Sequence, residues 1–137
     1  MEKHFNLTDL EFESQFENCT LDPALFSHEA HVRLAWIHIK KYGKEKAVQN
    51  VCSQLFAFVN FLGASGKYNI TLTVAAVKAV YHFMQKSDAG NFKDFIARFP
   101  RLKYNFKELM AAHYKTDIFN SALAKREFLM PDLLPFD

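Results

Sequence analysis

Charge of one sign is scarce in this chain. Seventeen lysines and arginines against fifteen aspartates and glutamates leave a formal +2 over 137 residues, short of the concentrated basic stripe of a nucleic-acid-binding domain. Cysteine is scarcer, with two in all. Cys19 and Cys52 stand alone, without C-x-x-C or zinc-knuckle spacing, so both are expected to be reduced, structural thiols. Glycine and proline number four each, too few for a disordered or low-complexity chain. No apolar run approaches the roughly 20 residues of a membrane-spanning helix, since the longest, Leu55 to Ala64, is interrupted by Asn60. Met1-Glu2-Lys3-His4 opens without the basic and apolar regions of a secretory signal, and the expected location is the cytoplasm, with no membrane partner. Missing too are a P-loop, a G-x-G-x-x-G turn, a nucleophile elbow and H-E-x-x-H, for which His28-Glu29-Ala30-His31 is one residue too short.

Apolar mass is plentiful. Half the residues are hydrophobic and fifteen are phenylalanine, enough for one packed core without disulfides or a structural metal. The expectation is a single domain over residues 1–137. Thr8 is placed to cap a helix over about Asp9 to Asn18, and Leu21-Asp22-Pro23 breaks it. Ser27 caps a second helix to about Tyr42, with Glu29 in its first turn, Lys40 and Lys41 in its last, and Gly43 beyond. A third runs from about Lys44 to Leu62, ended by Gly63-Ala64-Ser65-Gly66. A fourth covers about Thr71 to Gln85, with Thr71 read as its cap. Shorter helical patterns follow over Phe92 to Phe99, Phe106 to His113 and Asp117 to Phe128. No segment alternates with the period of a strand, so the fold class is all-α: a single-domain helical bundle with three longer helices and several short C-terminal ones.

The second helix carries the chemistry. At about 100° per residue His28, His31 and His38 fall on the side of Val32, Ala35 and Ile39, while Glu29, Arg33 and Lys40 fall opposite. Three histidines are thus predicted on one inward face, with Glu29 and Arg33 an outward i,i+4 pair. A buried imidazole costs free energy unless it is hydrogen-bonded or ligating. His28 and His31, one turn apart, are spaced to reach one metal ion or one substrate together. His38 lies about 10 Å further along by helical rise and more simply packs.

Phe26-Ser27-His28-Glu29-Ala30-His31-Val32-Arg33-Leu34-Ala35-Trp36 resembles the opening signature, F-x-H-x-x-H-x-R-x-A-W, of a family of short, uncharacterised bacterial proteins. Its pattern continues with G-K-Y-H-x-T-x-T, an H-Y-S element and a P-D-L-x-P finish. Here these read Gly66-Lys67-Tyr68-Asn69-Ile70-Thr71-Leu72-Thr73, His113-Tyr114-Lys115 and Pro131-Asp132-Leu133-Leu134-Pro135. The resemblance spans nearly the whole chain and implies one helical unit with a site shared by the first three elements. It supplies no reaction and no cofactor. Asn69 stands where the pattern often has histidine, and Lys115 where it has serine. If that histidine is a ligand in relatives, the resemblance implies weaker binding or lost activity here.

Two functions from different classes follow. In the first, a small-molecule or divalent-metal site, His28 and His31 are ligands or acid/base groups, and His113 is a further catalytic candidate. Tyr68, Asn69, Thr73 and Tyr114 complete the pocket. In the second, the histidines are structural and the phenylalanines serve a protein interface, such as a homodimer. Arg98, Arg101, Lys103, Tyr104 and Lys107 form a basic-aromatic cluster, but a solvated helix-loop face accounts for it equally well, so nucleic acid is not the partner read here.

Overall fold

The structure, a computed structural model, describes residues 1–136. It is all-helical, with no strand among the described residues. Its backbone contacts divide the chain into two compact units, Met1–Tyr68 and Asn69 onward.

The first unit opens with a 3-10 turn, Lys3–Asn6, which the helical periodicity did not announce. Helix α1, Asp9–Glu17, begins with a capping box: Glu11 N–H donates to Thr8 Oγ1 at 3.1 Å, and Thr8 N–H donates to Glu11 Oε1 at 2.9 Å. A 3-10 turn over Pro23–Leu25 leads to α2, His28–Tyr42, capped by Ser27. Gly43, at φ +87°, links it directly to α3, Lys44–Phe61. That backbone is in the region a side chain disfavours, so glycine permits a one-residue link and makes α2 and α3 packed neighbours. Phe16 joins this core to both flanks, its ring centroid 4.8 Å from Phe26 and 4.8 Å from Phe58. Cys19 and Cys52 are free thiols.

The second unit holds α4, Ile70–Met84, then α5, Phe92–Arg98, α6, Arg101–Tyr104, α7, Phe106–Ala111, and α8, Ala122–Arg126. Val77, Val80, Phe95, Leu102, Met110 and Ile118 are buried within it. The three longer helices are therefore α2, α3 and α4, of 15, 18 and 15 residues.

Three boundaries differ from the sequence reading. The cap of α4 is Asn69, whose Oδ1 accepts from Leu72 N–H at 2.9 Å. Thr71 instead bridges to the C-terminal segment, donating to the Glu127 carbonyl at 2.8 Å and accepting from Leu129 N–H at 3.0 Å. Helix α7 stops at Ala111 and not His113, and the pattern over Asp117 to Phe128 yields only the five residues of α8. Asp117 explains the last case: its carboxylate accepts from Phe119 N–H and the Asn120 side chain, turning the chain before Ser121 caps α8.

Candidate functional site

The N-terminal end of α2 carries the two candidate histidines. Ser27 Oγ accepts from Ala30 N–H at 3.2 Å and donates to the Glu2 carboxylate. His28 and His31 follow in the first turn, both with exposed side chains. His31 stacks on Phe26, ring centroids 3.9 Å apart and planes 26° from parallel. The protein around it lowers its pKa to about 4, and the nearby His28 adds a smaller push in the same direction. His31 therefore favours the neutral imidazole, with a lone pair to offer, while remaining exposed to solvent.

His38 is different in kind. It is fully buried, its Nδ1 lies 3.3 Å from the Asn50 side-chain amide, and its Nε2 makes no hydrogen bond. Burial lowers its pKa against the opposing pull of Glu13 and Glu17, with Lys41 adding to the depression. The three histidines thus do not share one inward face. Between Glu29 and Ile39 every residue of α2 but His31 is buried, because neighbours cover the helix on nearly all sides. A two-sided reading of its periodicity misassigns whichever face is polar yet covered.

Glu29 and Arg33 are the clearest correction. Each is only 4% exposed, and neither forms the expected outward pair; both reach the N-terminal segment. All five Arg33 N–H groups have acceptors. Nε and Nη2 meet Asp9 Oδ1 at 3.3 and 2.9 Å, and Nη2 donates to the Leu7 carbonyl at 2.8 Å. Nη1 donates to the His4 carbonyl at 2.6 Å and lies 3.4 Å from His4 Nδ1. The guanidinium also lies over the Phe12 ring, 5.0 Å from its centroid.

This arrangement assigns the His4 tautomer. Arg33 only donates, so Nδ1 carries the lone pair and Nε2 the proton, which is donated to Glu29 Oε1 at 2.7 Å. Glu2, His4 and Glu29 are the one group of at least three metal-ligating side chains among the described residues whose ligand atoms lie within 4.8 Å of one another. A metal on Nε2 requires the proton to sit on Nδ1, facing Arg33 Nη1, so these residues suit a shared proton rather than a cation. Sequence periodicity held no signal for a cluster that joins residue 4 to residue 29.

The other sequence candidates have local partners. In the first unit, Tyr68 donates to the Cys52 carbonyl at 3.3 Å, and burial pushes its pKa up. In the second, Asn69 is both the α4 cap and a donor to the Ile118 carbonyl at 2.7 Å, and the Thr73 hydroxyl donates to the Asn69 carbonyl at 2.7 Å. His113 Nδ1 donates to the Leu134 carbonyl at 2.7 Å, and its ring stacks on Phe136 at 4.0 Å. Tyr114 donates to the Leu129 carbonyl at 2.8 Å, and burial raises its pKa to about 12. With Leu133 N–H on the His113 carbonyl and Lys115 N–H on Asp132, the His113-Tyr114-Lys115 and Pro131–Pro135 elements clasp each other. No family model, curated protein or solved structure matches this chain.

No helix among the described residues is long and apolar enough to cross a membrane.

Proposed function

We propose that the chain binds a small molecule or a divalent metal at the N-terminal end of α2, with His28 and His31 as the contacting groups. The observation that carries this reading is the His31 imidazole: solvent reaches it, Phe26 braces it, its surroundings favour the neutral form, and His28 stands in the same turn. A neutral imidazole is what both a borderline metal ion and a proton-accepting step require. Two nitrogens on one turn leave positions for solvent or substrate, so a metal held there has an open coordination sphere. The first two motif elements lie at this end of α2 and around Tyr68, and membership of the bacterial family they resemble is proposed on those motifs.

A thermal-shift screen of divalent metals and small metabolites, with metal analysis of the purified protein, tests the site. A response in the wild type that disappears in His28→Ala plus His31→Ala supports it. No response, or the same response in the double variant, removes it.

A second reading, self-association, rests on exposed Phe56, Phe61 and Leu62 towards the C-terminal end of α3, which are 47%, 69% and 41% accessible. Light scattering that shows a monomer at high concentration would rule it out.

A further inference from the structure

We propose that the N-terminal segment Met1–Leu7 is a proton-operated latch on α2, closed while His4 is neutral and released when His4 takes a second proton. The segment is fixed from both ends of the His4 ring. On one side Nε2–H donates to Glu29, which is itself buried. On the other, Nδ1 faces Arg33 Nη1, and Arg33 is anchored in turn by Asp9 of α1. A second proton can enter only at Nδ1, where it meets a guanidinium N–H. Relieving that contact requires Arg33 to leave the His4 and Leu7 carbonyls, or His4 to leave its place beside Phe12. Either movement undoes the bonds that hold the segment.

The groups facing His4 pull in both directions. Glu29 on α2 and Glu2 on the segment itself, 3.7 Å from Nε2, attract an imidazolium; Arg33 on α2 repels it. Burial of the ring is the largest influence, and the balance lowers the pKa below its ordinary value. A group whose pKa is lower in the closed state holds that state best above its ordinary value near 6.5 and releases it as pH falls. Release also parts Glu2 from Ser27, the cap of α2. This proposal stands whether or not His28 and His31 bind a ligand.

Hydrogen exchange of the Phe5 and Leu7 amides, which donate to the Glu2 and His4 carbonyls, tests the latch. After correction for intrinsic exchange, opening is expected to rise up to about tenfold per pH unit below 6.5, levelling off at the closed-state pKa. In His4→Gln that rise disappears. Protection that stays level from pH 7.5 to 5.5, or an equal rise in His4→Gln, overturns the latch. Should His4→Gln fail to dock, the ring nitrogens of the wild type decide by NMR. An Nε2–H tautomer titrating below 6.5 supports the proposal, whereas an Nδ1–H tautomer, a titration at or above 6.5, or zinc coordination at Nε2 overturns it.

Discussion

Replacing Arg33 with methionine keeps most of the apolar stem and removes five donors at once. The side chain is 5% accessible while Asp9 is 50% accessible, so the loss divides into two parts. Asp9 can turn to water, and its share is small, as for surface ion pairs. The Leu7 carbonyl and His4 Nδ1 lose the Arg33 donor and the His4 carbonyl keeps only the Leu7 amide, all where solvent enters poorly, which brings the change close to breaking a buried charged network, about 3–5 kcal/mol. We expect about 3 kcal/mol after discounting Asp9, and a fall in Tm of about 10 °C for a chain of this size. Arg33→Lys should recover less than half, because an ammonium has three donors and no planar fork to span two carbonyls and a carboxylate. Urea and thermal denaturation followed by circular dichroism measure both variants. An Arg33→Met protein within 0.5 kcal/mol of wild type would refute the view that Arg33 pins residues 4–9 onto α2.

Three further outcomes are expected. Asn69→Ala removes the α4 cap and the donor to the Ile118 carbonyl, a loss of about 2–3 kcal/mol in urea denaturation; Asn69→Asp should do no better, because its second oxygen faces that carbonyl. Tyr114→Phe should cost about 1 kcal/mol and speed exchange of the Leu133 amide, and unchanged protection there would show that the clasp does not depend on the phenol. For His38, a folded pKa below the ordinary 6.5 means that its contribution is present above pH 6.5 and is lost as pH falls towards the folded value. Stability from urea titrations between pH 8 and 5 should therefore decline on the acid side, with His38 adding up to about 1.4 kcal/mol per pH unit to what His4 and His31 contribute, and His38→Gln should lessen that slope without abolishing it.

Several residues of the sequence motifs have structural roles. Arg33 fastens the N-terminal segment, and Ser27 caps α2. Asn69 and Thr73 organise the first turn of α4, and the two C-terminal elements hold each other. The functional reading rests on His31, exposed, braced by Phe26 and held towards the neutral form, with His28 in the same turn.

Sequence alone was sufficient for the all-α class, the three longer helices, the caps of α1 and α2 at Thr8 and Ser27, and the stop of α2 at Gly43. Each of those is decided by a short stretch of backbone and its nearest side chains. The placement of Glu29, Arg33 and the histidines was not legible, because periodicity states which residues share a helix face and not what covers that face. A 3-10 turn with no amphipathic repeat lies across the polar side of α2, so residues that would face water on an uncovered helix are buried and paired. Tertiary packing decided that His38 is core, that His31 keeps contact with solvent, and that a histidine four residues into the chain has the better-defined proton.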